Sequence, residues 1–371
     1  MTRLVERLKG DSLLVGELPR GCQLCAKGTK MVLFVTGLCD SACFYCPLSE
    51  EKSGKDIVFA DEMKVETDQD ILFETEAIGG EGAGISGGDP LCNLDRTVRY
   101  ITLLKSSQGN EFHTHLYTSQ SEVEEDILLE LRNAGLDEIR FHPQSRDWSG
   151  IETAVSLGMV VGLELPAIPG QEKDLESAAE KAEAFGVDFL NINELEASET
   201  NFAKLAALGL RLTSLDAASI EGSRETAENI LHWAASNLVN LSVHFCTAVF
   251  KDRVQLRNRL ERRLVRTIRA FEEKDEDDPL LILGLIRPQH GQTMAPEHLG
   301  QIYNILRVEF NVPHDMMNLD FDRSRIEIAP WILEEIAEDL RIELEELSTV
   351  EMGIAYEYPS WDRLQTLFDP L

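Results

Sequence analysis

The sequence predicts an α/β protein: a partial or open (β/α)6-type barrel followed by a small additional C-terminal α/β domain. Three observations predict it. From about residue 31 to 250, short apolar runs alternate with helix-length amphipathic stretches, the order expected of parallel β–α units. Residues able to carry chemistry recur just after successive apolar runs, as at the strand ends of a barrel, whereas a doubly wound sheet gathers them at one switch point. Beyond a charged stretch at Asp275–Pro279 the pattern changes, which marks a second, smaller region.

The elements follow in order. Met31–Val35 is wholly apolar, as a strand buried on both faces should be. A cysteine-bearing loop comes next, then a helix over Thr67–Ile78 and a strand at Ala83–Ser86 that runs into Gly87-Gly88-Asp89-Pro90. Leu94–Lys105 reads as helix and His115–Thr118 as strand. Ser121 with Glu124 has the spacing of a capping box opening a helix that stops near Gly135. Further strands are predicted at Ile139–His142, Val160–Leu165, Phe189–Ile192 and Leu241–Phe245, with helices over Asp174–Phe185 and Thr226–Ser236 between them. A long helix over Lys251–Phe271 places Leu256, Leu260, Leu264 and Ile268 on one face. A strand at Leu280–Leu285 and helices at Pro296–Leu306 and Pro330–Leu340 complete the chain. The predicted organisation is therefore an N-terminal segment (1–30), a barrel domain (31–250), a connecting helix (251–277) and a small C-terminal domain (278–371).

Sixty-six acidic against 35 basic residues give a net charge of −31 over 371 residues. Such a surface repels phosphates at long range, so nucleic acid is not favoured as a partner. The apolar runs are too short to span a bilayer, and residues 1–20 lack the apolar core of a secretory signal, so a cytoplasmic location is expected. Local charge runs the other way between Lys251 and Arg269, where eight Lys and Arg side chains cluster, either as a solvated face or as an anion-binding patch.

Five of the seven cysteines fall between residues 22 and 46, a clustering that points to metal or redox chemistry, not a disulfide scaffold. The run MVLFVTGLCDSACFYC spaces Cys39, Cys43 and Cys46 as C-x3-C-x2-C directly after a buried strand. Three thiolates on a short loop can hold three irons of a four-iron cluster, leaving the fourth open to chemistry. A rival pairing sets Cys22-x2-Cys25 against Cys43-x2-Cys46, with 17 residues between the pairs, as in a zinc ribbon. That pairing leaves Cys39 unexplained.

The motif CDSACFYC, with aromatic Tyr45 before its last cysteine, resembles the cluster signature of the radical S-adenosylmethionine (SAM) superfamily. Ser86-Gly87-Gly88-Asp89-Pro90 resembles that family's GGEP motif, with Asp in place of Glu, and the likeness spans roughly residues 31 to 250. Within the superfamily the chain looks most like archaeal proteins related to pyruvate formate-lyase activating enzyme. The resemblance implies a [4Fe–4S] cluster on Cys39, Cys43 and Cys46 and SAM chelated to the open iron, with the Gly87-Gly88-Asp89 backbone receiving the methionine amino group. It also implies reductive cleavage of SAM, hydrogen abstraction from an unidentified substrate, and a one-electron donor such as ferredoxin or flavodoxin. Ser119, Glu164 and Asn193, at or near predicted strand ends, are further candidates for holding SAM. Asn191, Glu194 and Glu196 crowd the same edge.

Cys22 and Cys25, with His244 and Cys246 from the last barrel strand, form a possible second metal site for zinc, iron or an auxiliary cluster. Cys92 reads as a packed small residue, and His113, His115, His142 and His290 as core or surface positions. Two non-catalytic alternatives stand beside the enzyme: a zinc-ribbon-type binding module and an iron–sulfur electron carrier.

Overall fold

The computed structural model describes residues 2–215, 217–289, 292, 294–344 and 350–371; His290 lies outside them. The chain divides into two units, Met1–Arg259 and Leu260–Leu371.

The first unit opens with β1 (Glu6–Arg7), β2 (Leu13–Val15), α1 (Arg20–Lys27), β3 (Lys30–Phe34), β4 (Phe59–Ala60) and β5 (Met63–Lys64). Then come α2 (Asp68–Ala77), β6 (Gly82–Ser86), α3 (Leu94–Gln108), β7 (His113–Thr118), α4 (Glu125–Ala134) and β8 (Glu138–Phe141). They are followed by α5 (Ser149–Ser156), β9 (Val160–Ala167), α6 (Glu172–Phe185), β10 (Phe189–Glu194), α7 (Phe202–Ala207), α8 (Ser223–Asn237), β11 (Ser242–Cys246) and α9 (Ala248–Phe250). One sheet runs in the order β1-β2-β11-β10-β9-β8-β7-β6-β3-β4-β5. The seven strands from β3 to β11 in that path pair in parallel, and the flanking pairs are antiparallel. The path has two ends, so this is an open barrel, whose seventh parallel strand, β11, is the one expected at Leu241–Phe245.

The core explains why the strands were readable. Met31, Leu33, Ala83, Ile85, Leu116, Ile139, Phe141, Val161, Leu163, Leu190, Ile192, Val243 and Phe245 are all fully buried, and the helices pack over them. Left-handed glycines stop α4 and α6, at Gly135 (φ 107°) and Gly186 (φ 79°), where a side chain would be strained. The capping box lies elsewhere than expected: Thr67 and Asp70 form one at the start of α2, whereas α4 begins after Glu124 with no side-chain cap.

Residues 6–15, which the sequence reading placed outside the barrel, extend its sheet: Leu13, Leu14 and Val15 pair with Phe245, His244 and Val243. Helix α1 packs against β3, β6 and β7 and buries Gly21, Cys22 and Leu24. A Cβ on Gly21 would sit 2.6 Å from Arg140 and 2.8 Å from His115, so glycine is what lets the helix come this close.

The single long helix expected over Lys251–Phe271 is interrupted. It opens with a π-helical stretch, Lys251–Leu256, before α10 (Arg257–Thr267). The wider turn puts the later residues out of phase with a 3.6-residue stripe. Leu264 is buried as expected, whereas Leu256 and Ile268 are exposed. Several of the basic residues are answered by acidic neighbours: Lys251 pairs with Glu196, Arg259 with Asp61, and Arg269 with Glu272 and Glu327.

The second unit holds β12 (Glu273–Lys274), β13 (Leu281–Pro288), α11 (Pro296–Val308), β14 (Met317–Asp320), β15 (Arg325–Ile328), α12 (Pro330–Glu343), β16 (Val350–Glu357) and β17 (Gln365–Pro370). Its antiparallel sheet has the order β14-β15-β13-β16-β17, with β12 beside β13. Both helices start with proline at the first turn, where the missing N–H costs nothing. Leu299, Ile302 and Leu306 of α11 and Leu333 and Leu340 of α12 cover Ile286, Ile326 and Ile328, while Leu283, Leu285 and Ala355 form a separate cluster with Phe368.

Buried charges stitch the second sheet. Arg325 bridges Glu327 and Glu357, and Arg269 also bonds Glu327. Burial pushes the Glu327 carboxyl up, but the two guanidiniums and the Asn318 amide outweigh it and hold it at about 2. A carboxyl depressed on folding contributes stability that is complete above its unfolded value near 4.5 and is lost as pH falls toward 2. Acid melts should therefore show the second unit losing stability between about pH 4.5 and 2. A Glu327→Gln chain should be less stable at pH 7 and show a smaller loss over that window.

Candidate functional site

The site grows from the carboxyl ends of the barrel strands. After β3 the chain leaves regular structure, and Thr36–Pro47 forms the cysteine loop. The turn after β6 is stapled to it through the backbone: Gly88 N–H donates to Thr36 O and Asp89 N–H to Leu38 O, both at 2.7 Å. Contact is so close that a Cβ on Gly87 would stand 2.5 Å from Thr36 O and one on Gly88 2.4 Å from Leu38 O. Only glycine fits at either position. Both motifs that the sequence singled out thus fold into one structure.

Asp89 locks this structure to β7. Its buried carboxylate accepts from Thr118 Oγ1 (3.1 and 3.0 Å), the Ser119 backbone N–H (2.9 Å), Ser119 Oγ (2.7 Å) and the Leu91 N–H (3.0 Å). Ser119 Oγ in turn accepts from Ser41 Oγ at 2.9 Å and lies 4.0 Å from Cys39 Sγ. The Asp side chain is therefore spent on the chain itself, and the neighbouring glycines present bare backbone.

Cys39, Cys43 and Cys46 line one cavity of about 410 Å³ together with Gly87, Gly88, Ser119, Tyr117, His142 and Lys204. Burial pushes the Cys43 thiol up, a bond with Tyr45 opposes this, and Cys46 and Cys39 push it further. Three thiols within electrostatic reach of one another are repelled as thiolates unless a cation lies among them. Among the described residues no three Cys, His, Asp or Glu side chains stand at metal-ligating distances as they lie. The loop carrying the trio has no helix or strand to hold them apart, so a bound group can draw the thiols together.

A second cavity, of about 420 Å³, lies inside the barrel and shares Tyr45, Pro47, Tyr117 and His142 with the first. Tyr45 OH bonds His142 Nε2 at 2.6 Å, and His142 Nδ1 donates to Glu164 O at 2.5 Å. Burial pushes the His142 pKa down, so the ring is neutral and used at both nitrogens. His142, expected as a core or surface position, lines both cavities.

Glu164 meets its demand for partners within the chain. Its carboxylate accepts from Arg140 Nη1 (2.6 Å), Asn191 Nδ2 (2.7 Å) and Asn193 Nδ2 (2.7 Å). Arg140, 1% exposed, also donates through Nε to Glu138 at 2.5 Å. The sequence reading missed Arg140, Glu138, Lys30 and Tyr117. Their signal was polar residues two apart in otherwise apolar strands, the period of an inward face.

Cys22, Cys25, His244 and Cys246 all line the inner cavity, whose lining does not include Cys39, Cys43 or Cys46. The zinc-ribbon pairing of Cys22 and Cys25 with Cys43 and Cys46 is thereby set aside, since the two pairs face different cavities. Cys22 is buried, and burial first of all raises its thiol to about 11. Cys92 is not part of either cavity's lining; its thiol stands 4.0 Å from Asp40 Oδ2, beside the cysteine loop. Among the described residues no helix is long and apolar enough to cross a membrane.

A family model described as the radical SAM superfamily matches residues 33–149, and one for a domain of unknown function matches residues 280–366. A Methanocaldococcus jannaschii protein, named as a candidate glycyl-radical enzyme activating enzyme, is 34% identical over 96% of this chain and 93% of its own length. Similarity to solved structures is weaker. Streptococcus suis SuiB bound to SAM gives a TM-score of 0.42 at 13% identity, covering 60% of this chain and 51% of that one. Coproporphyrinogen III oxidase from Escherichia coli gives 0.36 at 13%, covering 59% and 56%.

Proposed function

This chain belongs to the radical SAM superfamily, and from that premise we propose that Cys39, Cys43 and Cys46 bind a [4Fe–4S] cluster beside a seat for SAM at the carboxyl end of the barrel. The observation that carries the reading is the composition of the outer cavity. It is lined by three thiols, and among the described residues no fourth cysteine and no carboxylate lines it. Its one histidine, His142, is committed at both ring nitrogens. The donor set therefore suits a cluster with one iron left for an exchangeable ligand.

When bound, the cluster and SAM supply reductive cleavage of the sulfonium and removal of a hydrogen atom from a substrate C–H group. The chain's own residues bind and orient. Gly87 and Gly88 offer backbone without side chains, Asp89 holds that turn rigidly against β7, and Ser119 stands between Asp89 and the cysteine loop. Tyr45, Pro47, Tyr117 and His142, common to both cavities, mark where the reacting C–H group meets SAM. Glu164 and Asn193 act indirectly, by holding Arg140 and the cavity wall in place.

The name of the Methanocaldococcus relative supports a protein as the partner, with a glycine Cα as the hydrogen source. A low-potential one-electron donor such as ferredoxin or flavodoxin completes the cycle. The test is anaerobic reconstitution of the full chain. About four irons and four sulfides per chain and 5′-deoxyadenosine formed from SAM and dithionite are expected. Zinc alone would instead indicate a binding module, and a cluster that leaves SAM intact an electron carrier.

A further inference from the structure

Inside the barrel is a set of soft donors that this chemistry leaves unused. Helix α1 carries Cys22 and Cys25 three residues apart, hence on one face, and β11 carries His244 and Cys246 two apart, hence on one side of the sheet. All four line the inner cavity.

Two independent observations point to a ligand there. The first is His244, which is 1% exposed. Its Nδ1 meets Asn191 Oδ1 at 2.5 Å, and the Asn191 amide nitrogen is turned to Glu164, so Asn191 presents only an acceptor to the ring. That fixes the proton on Nδ1 and leaves Nε2 with a bare lone pair, and Nε2 has no hydrogen-bond partner among the described residues. A histidine oriented through one nitrogen with the other free is the arrangement of a metal ligand. The second is Lys30, a buried ammonium on the same cavity wall. Its acceptors are two neutral groups, Tyr117 OH at 3.3 Å and His115 Nε2 at 3.4 Å, and it forms no ion pair among the described residues. Buried charges are normally paired, so a counter-anion is missing. A divalent ion held by three thiolates and a neutral imidazole carries one net negative charge, which supplies it.

We propose that Cys22, Cys25, Cys246 and His244 form a four-coordinate site for a single thiophilic divalent ion, zinc or ferrous iron, in the barrel interior, with Lys30 as its counter-cation. Like the outer trio, these side chains are not at ligating distance as they lie, and binding draws them in. The Cys3His donor set matches a closed tetrahedral site, which places the ion in a structural role beneath the reacting groups.

The test separates this site from the cluster. A full-length chain with Cys39, Cys43 and Cys46 all changed to Ala should retain about one zinc or iron per chain without acid-labile sulfide. Replacing the ion by Co²⁺ should give thiolate-to-cobalt charge transfer and tetrahedral visible bands. Adding His244→Ala or Cys25→Ala should abolish uptake, and Lys30→Met should weaken it about 10–100-fold. Circular dichroism of each variant checks that it is folded. Should His244→Ala not fold, Cys25→Ala, at a half-buried position, decides the matter. A folded triple variant that is metal-free and takes up no Co²⁺ would overturn the proposal. Four irons with sulfide would also overturn it, in favour of an auxiliary cluster.

Discussion

Cys43→Ala abolishes 5′-deoxyadenosine formation and leaves the apo-protein folded: that is the expected result with the largest effect on activity. Cys43 sits on a loop without helix or strand, half-buried, and contributes no packing to the main barrel core. Exchanging its thiol for a methyl group should change stability by no more than about 1 kcal/mol. Removing one of three thiolates leaves a cluster with two protein ligands, too few to hold it and keep one iron open. Product should fall to the assay background and iron content should collapse with it. Comparing apo forms matters, because a bound cluster itself stabilises the fold it binds. If Cys43→Ala kept both iron and product, the outer cavity would not be the cluster site.

Arg140→Met has the largest expected effect on stability. Arg140 is buried between Glu138 and Glu164, and its guanidinium also lies over the rings of Tyr117 (5.3 Å) and Phe189 (5.0 Å). Removing it leaves two carboxylates facing each other in the barrel interior, at a cost of about 3–5 kcal/mol. For a unit of this size that is a fall in melting temperature of roughly 6–20 °C. Adding Glu138→Gln and Glu164→Gln should restore most of the loss, because amides carry no stranded charge. Recovery separates a charge effect from lost packing, which those changes would not repair. Thermal unfolding followed by circular dichroism reads both variants.

These effects also show how far the sequence could be read. Most of the seven parallel strands were visible as short apolar runs between turn residues, whereas His113–Thr118 and Glu138–Phe141 alternate polar with apolar residues. Gly87 and Gly88 stood out as a pair, and their reason is now physical: the backbone carbonyls of Thr36 and Leu38 occupy the space of a side chain. What stayed hidden depends on partners distant in sequence. Nothing local to Arg140 announces Glu164, 24 residues on, or Cys22, 118 residues back. Residues 6–15 stayed within the N-terminal segment because strands of two and three residues give too little periodicity to recognise. The π-helical stretch at Lys251–Leu256 escaped for a related reason, since a reading at 3.6 residues per turn assumes an uninterrupted helix.

An unclosed barrel has a cost that a closed one avoids, because each free margin of the sheet exposes unsatisfied backbone groups that a second molecule can pair with. Here those margins are brief and charged. One ends in Glu6–Arg7 and the other in Met63–Lys64, each only two residues long. Strands this short offer too few rungs to seed a growing fibril. The architecture can therefore leave its side open without inviting polymerisation.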